Sequence, residues 1–198
     1  MKSKTSTVQQ EKLNAKRVAI LESALDQITL YGFHGTSIKM IASSANVAAG
    51  SIYNHFSNKE EVIQAVYLRL VSEINEVVLN HHDPAVPFEQ DFLNIWNAIL
   101  QLYISDTRKP EFISQFAYSP YILEKSKTSP QILLEPVLEI FNSARQNGLI
   151  KNLPNPALLA LTHSPISSLV RMAKYEQIDL AELSISNYSQ ACWDSIKI

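Results

Sequence analysis

Glycine is scarce in this sequence: it occupies only four of 198 positions, or about 2%, against an average near 7%. Loops that bind nucleotide phosphates need clustered glycines, because the backbone must approach the phosphates closely. The chain has no G-x-G-x-x-G pattern, and no glycine is followed by Lys-Ser or Lys-Thr. These absences argue against a Rossmann or P-loop site. They also favour helices over sheets, whose hairpins use glycine freely.

Cysteine and charged residues are also few. The single cysteine, Cys192, excludes an intrachain disulfide, which suits the cytosol. Charged residues make up 18% and apolar residues 46% of the chain, so we expect extra apolar surface to meet a partner or to line a cavity. No apolar run approaches the ~20 residues of a membrane span, and the polar N-terminus lacks the apolar stretch of a signal peptide. We therefore expect a cytoplasmic protein that binds no membrane.

The charges are unevenly distributed along the chain. Residues 1–59 hold seven Lys or Arg and three Asp or Glu, whereas residues 60–198 hold ten and sixteen. A basic N-terminal segment followed by an acidic remainder suggests that only the N-terminal segment binds a polyanion. Chance alone also produces charge asymmetries of this size.

Apolar residues recur at helical spacing throughout, and glycine and proline punctuate the pattern. The sequence predicts an all-α fold of about nine helices, with residues 1–9 as a disordered basic arm, 10–59 as a three-helix N-terminal domain and 60–198 as a helical C-terminal domain. Gly32 and Gly148 are predicted to end the helices that precede them. Pro165 is expected to kink the eighth helix, and Asp179 is expected to cap the ninth.

The segment from Thr36 to Lys59 reads as two short helices joined by a tight turn, a pairing that places its second helix in a DNA major groove. Asn46 lies at the turn, where a positive φ is needed. Hydrogen-bonding side chains on the second helix suit phosphates and base edges, and Gly50 lets the backbone approach closely. The expected DNA-contacting residues are Thr36, Ser37, Lys39, Ala49, Gly50, Ser51, Tyr53, Asn54, His55 and Lys59.

Three stretches of this segment carry a family resemblance: TSIKMIA from Thr36, ANV from Ala45 and GSIYNHFSNKE from Gly50. They resemble the signature of TetR/AcrR-family transcriptional regulators. The match is close from about residue 18 to residue 66, and beyond it only the nine-helix layout is similar. Three positions depart from the family pattern: Asn46 replaces a turn glycine, Ala48 replaces a capping Ser or Thr, and Ala49 replaces a longer polar side chain. Ala49 could still contact a thymine methyl group.

Aromatic residues are frequent in helices 5 to 8, and an apolar cavity with a few polar groups is the usual form of a small-molecule site. A packed core is the competing interpretation for each of them. The resemblance implies that an effector binds in this domain, and the expected lining residues are Trp96, Tyr103, Phe116, Phe141 and His163. Because basic residues are few there, we expect an apolar, aromatic or cationic ligand.

The last two helices are more apolar than one buried stripe requires. The resemblance implies that two protomers pair through them, and the expected interface residues are Leu158, Ile166, Leu169, Tyr188, Cys192 and Trp193. A two-fold dimer places two recognition helices about 34 Å apart, as a palindromic operator requires.

The sequence therefore predicts a homodimeric DNA-binding repressor that a small-molecule effector releases through a movement of helix 4. It contains no H-E-x-x-H, G-x-S-x-G or nucleotide loop, so we expect neither an enzyme nor a cofactor. Adjacent residues such as His81, His82 and Asp83 rarely converge on one ion, and we expect no metal site. The alternative is a ligand-binding or protein-interaction module that has lost DNA binding.

Overall fold

The computed structural model describes the backbone of residues 2–117, 119, 121 and 130–198, and the side chains of residues 13–117, 119, 121 and 135–198. These residues form nine α-helices, which confirms the predicted all-α fold. The helices are α1 (Lys2–Gly35), α2 (Ile38–Ser44), α3 (Ala49–Tyr53), α4 (Lys59–His81), α5 (Phe88–Ser105), α6 (Arg108–Ala117), α7 (Pro130–Gln146), α8 (Asn155–Lys174) and α9 (Ile185–Ile196).

The chain divides into two compact units. The first unit comprises Met1–Arg69 and Gln115–Glu124, and the second comprises Leu70–Ser114 and Lys125–Ile198. The expected boundary at residues 59 and 60 coincides with the start of α4, whereas the unit boundary falls inside that helix. The first part of α4 belongs to the first unit because its side chains contact other residues of that unit. Arg69 pairs with Glu22, and the Tyr67 ring stacks on the Phe116 ring with 4.1 Å between the ring centroids.

The first helix differs from its expected extent. It begins at Lys2, so that residues 2–9, expected as a disordered arm, are helical. Glycine and proline are absent from this stretch, and nothing in it stops a helix. At the other end Gly32 interrupts the helical geometry with φ 71° and ψ 173°, a backbone region that is essentially restricted to glycine. The predicted stop at Gly32 is therefore a sharp corner before α2.

The turn between α2 and α3 has the hydrogen bonds of a Schellman motif. The Val47 N–H donates to Ala42 O at 2.9 Å, and the Asn46 N–H donates to Ser43 O at 3.2 Å. Asn46 has φ 53°, as its position in the sequence predicts. Asparagine tolerates this left-handed conformation because its short polar side chain can bond locally.

The second unit is built around a buried apolar cluster to which α4, α5, α7, α8 and α9 contribute. The indole N–H of Trp96 donates to Thr162 O at 3.0 Å, which links α5 to α8 inside that core. An isolated antiparallel bridge joins Ile150 to Lys197. The prediction that Asp179 caps the last helix is wrong, because α9 begins at Ile185. The Asp179 carboxylate instead accepts the Ala181 N–H at 2.8 Å and closes a local turn.

The Gly32 corner can be tested with two alanine substitutions of opposite expected sign. Gly32→Ala should lower the free energy of unfolding by about 1–3 kcal/mol, because alanine is strained at a positive φ even where its Cβ meets no neighbour. Gly50→Ala lies within α3 with open space around it, so it should raise stability by up to about 1 kcal/mol. Urea unfolding measures both values, and equal effects of the two substitutions would contradict the assigned corner.

Candidate nucleic-acid interface

The exposed side of α2 and α3 carries most of the residues expected to contact DNA. Ser37, Lys39, Ala49, Gly50, Tyr53 and Asn54 are exposed, and Ser51, His55 and Lys59 are partly buried. Tyr53 is 57% exposed even though it is a large aromatic residue. Its neighbour Ile52, by contrast, is fully buried. The second helix of the pair therefore packs through one side and presents hydroxyl, amide and imidazole groups on the other.

Thr36 does not fit the expected phosphate contact, because its side chain is buried. Its hydroxyl lies 2.8 Å from Gly32 O and 3.0 Å from Gln27 O, both of which can accept its proton. Its backbone N–H also donates to Gly32 O at 3.2 Å. The Thr36 hydroxyl is therefore used within the protein, at the end of α1.

Lys59, at the start of α4, is bound to the same corner. Its ammonium group donates to Phe33 O at 2.9 Å and to Thr36 O at 3.2 Å. A positive charge is favourable at the C-terminal end of a helix, where carbonyl dipoles accumulate. The ammonium group has three protons, so a phosphate contact through the third stays a prediction.

Helix α1 contacts α2 and the segment after α3 through side chains that the sequence did not predict. The Ser23 hydroxyl donates to Ile41 O at 2.8 Å in a buried position. The Arg17 guanidinium lies 5.2 Å from the centroid of the Phe56 ring, which is itself buried after α3. Serine and arginine on a helix face give no sequence signal for such partners, because the partners are distant in the chain.

The two short helices, α2 and α3, differ at their N-caps. Ser37 is the N-cap of α2, and its hydroxyl accepts the Met40 N–H at 3.2 Å. Ala48 is the N-cap of α3 and makes no side-chain hydrogen bond. The missing cap costs about 1 kcal/mol in typical helices. The recognition helix therefore depends on packing through Ile52 for its position.

The start of α4 is capped more strongly. Asn58 Oδ1 accepts the Glu61 N–H at 2.8 Å, and Glu61 Oε2 accepts the Ser57 N–H at 2.6 Å. This reciprocal pattern resembles a capping box, which the spacing of Asn58 and Glu61 already signals. The Ser57 hydrogen bond holds the pKa of Glu61 below its ordinary value. Helix α4 thus begins at a fixed point beside the corner that Lys59 holds.

Three of the five residues expected to bind an effector, Trp96, Tyr103 and Phe141, lie in the core of the second unit. His163 is partly buried in the same unit, and Phe116 lies in the first. Tyr103 and His163 approach at 2.7 Å between the phenolic oxygen and Nε2, and burial lowers the pKa of His163 to about 4. Trp96 is bound to Thr162 O, and Phe141 is buried in the same core cluster. The structure therefore gives these aromatic residues packing partners.

Five of the six residues expected at a dimer interface are buried within the protomer. Leu158, Ile166, Leu169, Cys192 and Trp193 are at most 7% exposed, whereas Tyr188 is 39% exposed. The spacing of α8 identified an apolar helix, but it could not separate the face that packs inward from the face that stays exposed. Burial also raises the pKa of the Cys192 thiol, which disfavours a reactive thiolate.

Two features are absent from the part of the chain that the structure describes. No group of three or more His, Cys, Asp or Glu side chains within it is placed to hold a metal ion. None of its helices is long and apolar enough to span a membrane.

Two short helices joined by a tight turn, with the second exposed on one side and a third helix packed behind them, form the architecture of helix-turn-helix DNA-binding domains. The family model for bacterial regulatory proteins of the tetR family matches residues 20–66, and a tetracyclin repressor-like C-terminal domain matches residues 87–197. The chain belongs to the TetR family of transcriptional regulators, as its sequence motif indicates.

Relatives agree with this assignment. The probable acrEF/envCD operon repressor of Escherichia coli strain K12 is 26% identical over 86% of this chain and 84% of its own length. The uncharacterized HTH-type regulator YhgD of Bacillus subtilis is 31% identical, but the match covers 43% of this chain and 45% of that protein. A crystal structure of a TetR family regulator from Marinobacter aquaeolei VT8 has the same fold, with a TM-score of 0.86 at 19% identity over 95% of this chain and 98% of that one.

The family sets the broad function. Its members are transcriptional regulators rather than enzymes. They bind DNA operators and dimerise, and some bind small-molecule effectors.

The capping arrangement at α4 predicts a pH-dependent stability. Since the pKa of Glu61 is lower in the folded state than its ordinary value of 4.5, the stabilisation is present above that value and is lost as the pH falls through the folded pKa. Glu61→Gln should therefore cost about 0.5–1 kcal/mol at pH 7 and much less at about pH 3.

Chemical unfolding at both pH values measures this difference. Glu60→Gln removes an acid from the same helical turn and is the matched control for the favourable charge at a helix N-terminus. If the two variants behaved alike at both pH values, the hydrogen bond to Ser57 would not be the cause.

Proposed function

We propose that this protein is a homodimeric transcriptional repressor that binds a palindromic operator through α2 and α3 and releases it when a small-molecule effector binds. The observation that carries the DNA-binding part is the exposure of Lys39, Tyr53 and Asn54 beside the buried Ile52. The similarity to the Escherichia coli relative, a probable operon repressor, supports repression over activation.

The DNA contacts divide into two kinds. Ser37 and Lys39 flank the start of α2 and are suited to phosphate oxygens, which fix the protein's register on the duplex. Tyr53, Asn54 and His55 lie at the end of α3 and just beyond it, with side chains suited to phosphates and base edges. Ala49 is exposed and offers a methyl group to a thymine. Thr36 is left out of this set because its hydroxyl is used within the protein.

Dimerisation is supported by apolar side chains that stay exposed on the last two helices. Leu161 and Met172 on α8 are 37% and 38% exposed, and Tyr188 on α9 is 39% exposed. Small exposed residues such as Ala160 and Ala191 lie on the same two helices and would allow close approach of a second copy. These residues replace the buried ones of the sequence prediction as the proposed interface.

Effector release requires a helix that responds to a ligand and adjoins the DNA-binding segment. Helix α4 is continuous from Lys59 to His81, and its residues belong to both units. A ligand that prefers one position of α4 shifts the population of DNA-competent dimers by its difference in affinity, typically 1–3 kcal/mol.

DNA binding can be tested by a mobility-shift titration on duplex DNA from upstream of the protein's own gene. Tyr53→Ala should weaken binding about tenfold, because an exposed aromatic contact is lost in both protomers. Lys39→Ala should reduce the slope of log K against log salt by about two, one phosphate contact for each protomer. Lys151→Ala, an exposed lysine of the second unit, is the control and should change neither value. Unchanged binding by both Tyr53→Ala and Lys39→Ala would refute the interface.

The dimer surface can be tested by light scattering over a dilution series. Tyr188→Glu should raise the dimer dissociation constant about tenfold or more, because it buries a charge in an apolar contact. Asn187→Glu adds the same charge at the adjacent exposed position of α9 and should have little effect. Equal dimer dissociation constants for the two variants would show that Tyr188 does not lie in the dimer interface.

A second function, an interaction module that has lost DNA binding, is favoured by one observation. The recognition helix α3 is only five residues long and has no side-chain cap. The mobility-shift titration also separates the two functions, because salt-sensitive binding to duplex DNA excludes the loss of that activity.

A further inference from the structure

The second unit contains a cavity that none of the five expected effector-binding residues lines. It has a volume of about 500 Å³ and lies between α7 on one side and the end of α4, the following loop and the first turn of α5 on the other. Small-molecule sites typically measure ~300–1,000 Å³. Its apolar wall includes Val86, Phe88, Ile140 and Leu149.

One wall of the cavity is held rigidly by a buried carboxylate. Asp91 is 1% exposed, with Oδ2 2.8 Å from His82 Nδ1 and Oδ1 accepting the Asp83 N–H at 2.7 Å. Asp83 in turn accepts the Ala85 N–H at 2.9 Å. A wall ordered in this way loses little entropy when a ligand binds.

Carboxylates predominate among the ionisable side chains that line the cavity. Asp83, Asp91 and Glu139 are carboxylates, and His82 supplies an imidazole. Among the described residues that line the cavity there is no lysine or arginine. The lining therefore offers acceptors and negative charge beside apolar surface.

We propose that this cavity binds a small organic cation, whose apolar body packs against Phe88 and Ile140 and whose charge is matched by Glu139 and Asp83, the two exposed carboxylates of the lining. The proposal deepens the proposed function by naming where an effector binds and what charge it carries. It rests on that function only for the coupling to DNA.

The experiment measures ligand binding to the full-length protein without DNA, so its failure is distinct from a failure of DNA binding. The probes are tetraphenylphosphonium and tetraphenylborate, two ions of nearly identical shape and opposite charge, titrated by calorimetry. The cation should bind at least about tenfold more tightly than the anion. Equal or tighter binding of the anion, or no detectable binding of the cation, would overturn the proposal.

Variants locate the site. Glu139→Gln should weaken cation binding about two- to fivefold, the range for one partly exposed charge pair. Glu135→Gln, one turn earlier on α7 and outside the cavity, should leave it unchanged. Ser143→Phe fills the cavity and should abolish binding, whereas Gln146→Phe adds the same ring at an exposed position outside it. Equal affinities across either matched pair would exclude this cavity as the site.

Discussion

The end of α1 is the constraint on which the DNA-binding unit depends. The glycine corner at residue 32 breaks the helix, and the carbonyls of Gln27, Gly32, Phe33 and Thr36 accept hydrogen bonds from side chains around it. The Thr36 hydroxyl and the Lys59 ammonium group supply them. Thr36 precedes α2 and Lys59 begins α4. The same hydrogen bonds therefore hold the start of α2 and the start of α4 against the end of α1.

With that corner fixed, α3 needs little stability of its own. It is five residues long and has no side-chain cap, and an isolated helix of that length would be marginal in water. The Schellman turn at Asn46 and the buried Ile52 hold it from behind. The exposed side is therefore not needed for packing and is available for the DNA contacts proposed above.

The sequence predicted the helices and the motif well, because glycine, proline and helical periodicity are local signals. It also predicted the positive φ of Asn46, which the turn requires. It misjudged Thr36, since a threonine before a helix reads alike whether its hydroxyl faces solvent or a distant carbonyl. The start of α9 was missed for a related reason: Asp179 can cap a helix or close a turn, and only the tertiary structure decides between them.

The interface and cavity residues of the C-terminal helices were predicted less well than the DNA-binding segment. Apolar residues such as Leu158 and Trp193 were expected at an interface, but the core of one protomer uses them. Periodicity marks a helix as apolar without saying which partner it meets. The acidic cavity beside α7 was missed because its lining comes from separate segments whose charges look unremarkable along the chain.

Amide hydrogen exchange with and without duplex DNA from upstream of the gene tests whether the corner at α1 presents α2 and α3 to DNA. If it does, exchange is slower across residues 37–55 at low salt and returns to the free rate when salt is raised. DNA binding that left exchange in this segment unchanged, or an absence of DNA binding, would contradict it.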